Sequence, residues 1–268
     1  MKITYVTSMN VDVFLKFGWR LLKTFEEFNH ENDKLYIYTE EKKLENIIQD
    51  FNFKNIYVKH FKKDLFAFVK KFNSNRYNGK SGNINLKNLK FFVKTFLKKR
   101  KFNLGIFKYN FLNDVIRFSY KSFAMCDALK DFTNDVIFYV DADCNIFNNI
   151  PKTKILRSLS GNSIGYFGRD TYTETGIIIF DNRKNKLFNF EKVFRGIYTS
   201  GSFIKLPHYT DCHIFDEARR LTNDEYTNLN KYYCNNHPIA RSWFSEFIDH
   251  RKGGRKSLQK SPEINKNV

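Results

Sequence analysis

The sequence predicts an α/β protein with a mostly parallel central sheet flanked by helices, and three stretches carry that prediction. Val136-Ile137-Phe138-Tyr139-Val140 is an apolar run of strand length, rich in β-branched and aromatic residues and without polar alternation, as a strand buried on both faces requires. Ile177-Ile178-Ile179-Phe180 repeats that character. The chain also opens with strand, helix and strand patterns in succession, the unit from which parallel sheets are built.

Taken in order, Ile3 to Thr7 reads as a first buried strand. Val13 to Phe28 has helical spacing through Phe14, Phe17, Leu21, Leu22 and Phe25, and Lys34 to Thr39 is a second strand. This opening places Thr7 and Ser8, with Met9, at the first crevice of a nucleotide-binding type of sheet. The chain has neither G-x-G-x-x-G nor G-x-x-x-x-G-K-[ST], which argues against dinucleotide dehydrogenases and P-loop proteins. A short helix over Glu41 to Asp50 and a strand over Asn55 to Val58 continue the alternation.

From residue 59 to 108 the chain turns basic and aromatic. Within it, Lys87 to Lys101 sets Leu89, Phe92, Val93, Phe96 and Leu97 on one helical face, opposite Lys90, Lys94, Lys98 and Arg100. The pattern reads as a packed amphipathic helix with a solvated lysine face, the alternative being contact with a membrane surface. A helix beginning at Arg117 and running to Leu129 carries Arg117 and Lys121 four residues apart on one face. Directed at the crevice, those two cations suit a diphosphate.

The run at Val136–Val140 leads into Asp141-Ala142-Asp143. In extended backbone, residues two apart point the same way, so both carboxylates face one spot at the carboxyl end of the strand. Oxygen donors in that arrangement suit Mg²⁺ or Mn²⁺ with positions left for nucleotide phosphates, and a simple polar turn is the other reading. Beyond it, Pro151 to Leu159 reads as helix or loop and Ser163 to Phe167 as a strand. Thr173-Glu174-Thr175-Gly176 precedes the second apolar strand, and a helix follows from about Lys186 to Tyr198. His208 to Arg220 opens a further helix with Thr210 or Asp211 as its N-cap. Phe247 to Lys256 reads as a basic, glycine-hinged tail, with disorder beyond Pro262.

The length of 268 residues fits one elaborated domain. With 42% hydrophobic and 18% aromatic residues the chain is not generally disordered, and no apolar stretch nears the roughly 20 residues of a membrane span. The formal charge of +18 points to an anionic partner, although enrichment in Lys, Asn, Ile, Phe and Tyr, the residues of A/T-rich codons, accounts for part of it. Cys126, Cys144, Cys212 and Cys234 form no metal-ligand spacing and read as free thiols in a reducing compartment. With no signal-peptide pattern, a cytoplasmic location is expected, with room for peripheral contact at the inner face of the membrane.

The order of these features resembles the GT-A fold glycosyltransferases, most of all the glycogenin and lipopolysaccharide galactosyltransferase type. Asp141-Ala142-Asp143 matches the D-x-D of that family, and His250-Arg251-Lys252-Gly253-Gly254-Arg255-Lys256 matches its H-x-x-G-x-x-K. The resemblance implies one GT-A domain over residues 1–256 with the insert around 59–108, and a flexible tail over 257–268. It implies a retaining hexosyltransferase that moves sugar from a nucleotide-sugar, a UDP-sugar, to a glycan or lipid-linked acceptor. Mn²⁺, or Mg²⁺, would bridge the diphosphate to Asp141, Asp143 and His250, and a mixed carboxylate and imidazole set favours Mn²⁺. Lys256 and the backbone at Gly253 would reach the leaving phosphate. Glu174 to Gly176 would face donor sugar or acceptor, and Asp211 would stand as an acid near the reacting sugar. The chain departs from the family in having Ser257-Leu258 for Pro-Trp, Glu174 for Asn, and Asp211-Cys212 for the acid-Gln pair.

A nucleic-acid-binding protein or metal-dependent nuclease is the competing class, on the strength of the charge and the aromatic-interleaved basic segments. Two-metal chemistry needs another acidic ligand beside the D-x-D, and Cys144-Asn145-Ile146-Phe147 supplies none. A nucleotide-sugar pyrophosphorylase would need a glycine-rich basic loop after the first strand, unlike Thr7-Ser8-Met9-Asn10. His60, His208, His213 and His237 have no place in the site on this reading.

Overall fold

Both apolar runs lie at the middle of a seven-stranded sheet in the computed structural model, which describes residues 2–30, 32–80, 109–183, 187–231 and 236–251. The strands are β1 (Ile3–Ser8), β2 (Lys34–Thr39), β3 (Ile56–His60), β4 (Val136–Val140), β5 (Cys144–Ile146), β6 (Ile164–Phe167), β7 (Glu174–Asp181), β8 (Tyr226–Asn228) and β9 (Ile248–His250). The sheet order is β3-β2-β1-β4-β7-β6-β8. Pairings are parallel except those of β7 with β4 and β6, so β7 alone runs against the rest.

The absence of polar alternation in β4 and β7 has a direct cause. Val136, Phe138 and Val140, with Ile177 and Ile179, point into an apolar layer that also holds Leu21, Leu22, Phe25, Leu44 and Ile48. Ile137 and Tyr139, with Ile178 and Phe180, point into a second layer on the other face, with Leu65, Phe68, Phe123, Phe190 and Phe215. Each strand is therefore covered twice, and both alternating sets of side chains are apolar.

Helices α1 (Trp19–Phe28) and α2 (Lys42–Asp50) cover the first face. Helices α3 (Lys63–Phe72), α4 (Val115–Asp131), α6 (Phe188–Ser200) and α7 (Asp211–Leu221) cover the second; α5 (Lys152–Ser158) lies between β5 and β6 in the chain and buries Ile155 in the first layer. The helix expected from Val13 enters as Val11–Val13 and a π-helical turn, Phe14–Gly18, before α1. The basic stretch after β3 contains α3, whose Leu65, Phe68 and Phe72 recur at helical spacing and are buried. The expected amphipathic helix over Lys87 to Lys101, and Cys234, lie outside the described residues. Thr210 caps α7, accepting the His213 backbone N–H.

Two differences from the sequence reading shape the site. β7 begins at Glu174, so Glu174, Thr175 and Gly176 are strand residues rather than a turn ahead of it. Phe247 to His250 is not tail: β9 pairs antiparallel with β5, aligning His250 with Cys144 and Ile248 with Ile146, and His250 and Arg251 are buried. From β3 the chain returns across the sheet to lay β4 on the free side of β1. The carboxyl ends of β1 and β4 thus meet at a topological switch point, where open α/β sheets bind ligands.

Candidate active site

A cavity of about 980 Å³ opens at that switch point. β1 contributes Ser8 to its wall, the end of β4 contributes Asp141, Ala142 and Asp143, α4 contributes Arg117 and Lys121, and β7 contributes Glu174 and Thr175. Asp211 enters from the first turn of α7 and His250 from β9. Residues far apart in sequence converge because β1 and β4 deliver their carboxyl ends to one edge and antiparallel β7 brings its amino end there.

The imidazole of His250 is the hub. Its Nε2 lies 3.1 Å from Asp143 Oδ1 and 3.3 Å from Asp141 Oδ2, and its Nδ1 lies 3.4 Å from Glu174 Oε1. Burial opposes a charge on this ring, but Asp143, Asp141 and Glu174 overcome it and hold the imidazolium well above the ordinary histidine range. Lys121 forms a second node, with Nζ 2.8 Å from Asp141 Oδ1, 2.9 Å from Asp211 Oδ2 and donating to Thr175 Oγ1 at 3.1 Å. Burial again opposes the charge, and Asp141 and Asp211 outweigh it, so the ammonium stays charged. For Asp141, burial is offset by Lys121 and His250, and the carboxyl is held below its ordinary range.

Donor chemistry fits a divalent ion. Separations of 3.1 and 3.3 Å between Nε2 and the two carboxylate oxygens are those of neighbouring corners of an octahedron with bonds of about 2.1–2.3 Å. Asp143, Cys144 and His250 also bring ligand atoms within 4.8 Å of one another. Burial, then Asp143 and Asp141, push the Cys144 thiol well above its ordinary range, so the carboxylates are the donors ready at neutral pH, and the His250 imidazole would join them once an ion displaced its Nε2 proton. Asp141 and Asp211 meet Lys121, Asp141 and Asp143 meet His250, and Glu174 lies between His250 and Arg169.

Asp141, Ala142, Asp143, Lys121, Asp211, Glu174 and His250 are therefore gathered at one cavity, and Ser8 lines it. Arg117 also lines it, with an exposed side chain. Thr7 does not: it is fully buried, because adjacent strand residues face opposite ways and Ser8 takes the cavity side. Gly176 lies against the His250 ring. Gly253 and Lys256 lie outside the described residues.

Tyr139 and His213 line the cavity and were missed by the sequence reading, which set His213 outside the site and reached Thr175 only as part of the stretch Glu174 to Gly176. Thr175 donates its hydroxyl to Asp211 Oδ2, and the Tyr139 hydroxyl donates to Asp141 Oδ1 at 3.4 Å. Tyr139 stands two residues before Asp141 and so shares its face of the strand, which is a readable signal. Thr175 carried none, because its partners come from α4 and α7.

No protein-family profile and no curated protein sequence matches the chain. Among solved structures, the chain is similar to the glycosyltransferase GlyE of Streptococcus pneumoniae TIGR4, with a TM-score of 0.47 and 11% identity over 87% of this chain. It spans 46% of the GlyE chain, about half of that protein's length. It is also similar to mouse xyloside xylosyltransferase 1, with a TM-score of 0.45 and 12% identity, covering 86% of each chain. A glycosyltransferase involved in glycosylating the major capsid of PBCV-1 gives a TM-score of 0.45 and 11% identity, covering 95% of this chain and 96% of that one. The likeness is to glycosyltransferases, and it is one of fold.

Proposed function

We propose that the chain is a metal-dependent glycosyltransferase that moves a sugar from a nucleotide-sugar, a UDP-sugar, to a glycan or lipid-linked acceptor. One observation carries this reading: His250 Nε2 lies within 3.3 Å of both Asp141 and Asp143 in the wall of a cavity at the sheet's switch point. Asp141, Asp143 and His250 would hold Mn²⁺ or Mg²⁺. When bound, the ion would neutralise the negative charge that grows on a departing diphosphate.

The remaining work falls to the chain itself. Lys121, kept protonated by Asp141 and Asp211, places a fixed positive charge beside the D-x-D carboxylates. Such a charge stabilises a leaving diphosphate more than it stabilises the bound donor. Arg117, one helical turn earlier, exposed and beside Tyr109, would meet the outer phosphate. Ser8, which lines the cavity at the end of β1, would border the nucleotide. The Thr175 hydroxyl and the Lys121 ammonium fix the Asp211 carboxylate, which would stand near the reacting sugar. The family resemblance would give Gly253 and Lys256 to the leaving phosphate, and it implies retaining hexosyl transfer.

A panel of nucleotide-sugars assayed for hydrolysis without acceptor tests this reading. Release of UDP that requires Mn²⁺ or Mg²⁺ and disappears in Lys121→Ala is expected. Absence of hydrolysis across the panel, together with stabilisation by oligonucleotide but not by UDP and Mn²⁺, would favour the nucleic-acid reading instead.

A further inference from the structure

We infer that Glu174 is a positioning residue for His250, and that Gly176 provides the space the imidazole occupies, so that β7 sets the direction in which Nε2 faces the D-x-D carboxylates. This deepens the metal reading above and rests on it. It departs from the expectation that Glu174 contacts sugar or acceptor.

Glu174 and Gly176 are two apart in a strand and so share a face. Glu174 Oε1 lies 3.4 Å from His250 Nδ1 and accepts the Gly176 backbone N–H at 3.1 Å. Arg169 Nη2 stands 3.5 Å from Oε2 on the other side. The carboxylate is buried and anchored by its own strand before it meets the ring. When the ring is neutral, a carboxylate at Nδ1 keeps the remaining proton there and leaves the lone pair on Nε2. In this structure, Nε2 faces Asp141 and Asp143.

Gly176 supplies the second half of the device. A Cβ at this position would lie 2.1 Å from His250 Nδ1 and 2.2 Å from its Cε1, and the next nearest atom, Cγ at 2.9 Å, belongs to the same ring. The glycine is therefore matched to the imidazole rather than to a backbone requirement. The Gly176 carbonyl accepts the Asp141 backbone N–H at 2.9 Å, so one residue fixes both the backbone of a carboxylate donor and the seat of the imidazole.

The test is a pair of double-mutant cycles on the full chain, with Mn²⁺ affinity read from the EPR signal of free Mn²⁺ and stability from thermal melting. Glu174→Ala should weaken Mn²⁺ binding about 10–100-fold, the range for loss of a carboxylate that orients a ligating histidine. Glu174→Gln keeps an acceptor oxygen and should stay within about threefold of the parent. In a His250→Ala background, Glu174→Ala should change affinity by less than about twofold, because the group it acts through is gone. Gly176→Ala should lower both Tm and Mn²⁺ affinity in the parent, and its Tm effect should disappear beside His250→Ala. It also serves if Glu174→Ala fails to fold. An equal affinity loss from Glu174→Ala in both backgrounds, or none in either, overturns the positioning role. Equal Tm losses from Gly176→Ala in both backgrounds overturn the packing role. A parent that binds no Mn²⁺ overturns the metal reading itself, and the role of Glu174 with it, while the Tm cycle still decides the packing of Gly176.

Discussion

At Asp143 and His250, one short contact ties stability, protonation and ligand binding together. Asp143 lies against the imidazole at the cavity rather than in an apolar layer. Asp143→Ala should therefore abolish metal-dependent turnover while circular dichroism shows the fold retained; undiminished turnover would remove Asp143 from the site. Without metal, His250 binds its proton more tightly in the folded chain than in the unfolded one, despite burial, because of Asp143, Asp141 and Glu174. Its contribution to stability is then fully present below about pH 6.5, the unfolded value, and is lost as pH rises through the higher folded value. Asp141 works in the opposite sense: its folded pKa is lowered, so its contribution holds above about pH 3.9 and fades as pH falls below that. The metal-free protein should thus lose Tm as pH climbs above about 6.5, and His250→Ala should flatten that slope. Mn²⁺ affinity should rise over the same interval, since the ion needs the neutral imidazole. Affinity that does not change with pH would separate His250 from the metal.

Among the elements, β9 was the least legible and matters most to the site. β4 announced itself through an unbroken apolar run ending on two acids, and β1 and β2 through run length and composition, because burial on both faces leaves its mark within each strand. β9 has three residues, too few for any period, and its partner β5 lies far back in the chain. A basic, glycine-rich continuation made it look like tail. α3 was hidden for a related reason, since Lys63, Lys70 and Lys71 mask a buried stripe of Leu65, Phe68 and Phe72. His250 was found only through its place in a motif, and its partners Glu174 and Gly176 were read as sugar contacts through the family resemblance, with strand β7 started too late to show their shared face. Ile248 is fully buried and opposite Ile146, so Ile248→Ala should cost about 2–5 kcal/mol in denaturant unfolding and should weaken Mn²⁺ binding as β9 loosens. Unfolding that costs this much with Mn²⁺ affinity intact would show that β9 does not hold His250 in place.

For the whole molecule, the formal charge of +18 and the concave site lead to different partners. No helix among the described residues is long and apolar enough to cross a membrane. Attraction of the net charge for polyanions is long-ranged and screened, so oligonucleotide or anionic-vesicle binding should fall steeply between low and physiological salt. Binding at the cavity depends on short contacts between buried groups and should persist under the same change. Thermal stabilisation by UDP with Mn²⁺ that survives 0.5 M salt would place the ligand in the cavity, and stabilisation that vanishes in step with oligonucleotide binding would place it on the charged surface.

Asp141, Asp143 and His250 would form one cation site that a nucleotide diphosphate completes. Mn²⁺ binding followed by EPR, with and without UDP, in the parent, Asp143→Ala and His250→Ala tests it most directly. The account predicts one ion per chain in the parent, tighter in the presence of UDP, and a loss of at least about tenfold in each variant, with the UDP enhancement gone. Mn²⁺ binding of parental affinity and equal UDP enhancement in both variants would contradict it.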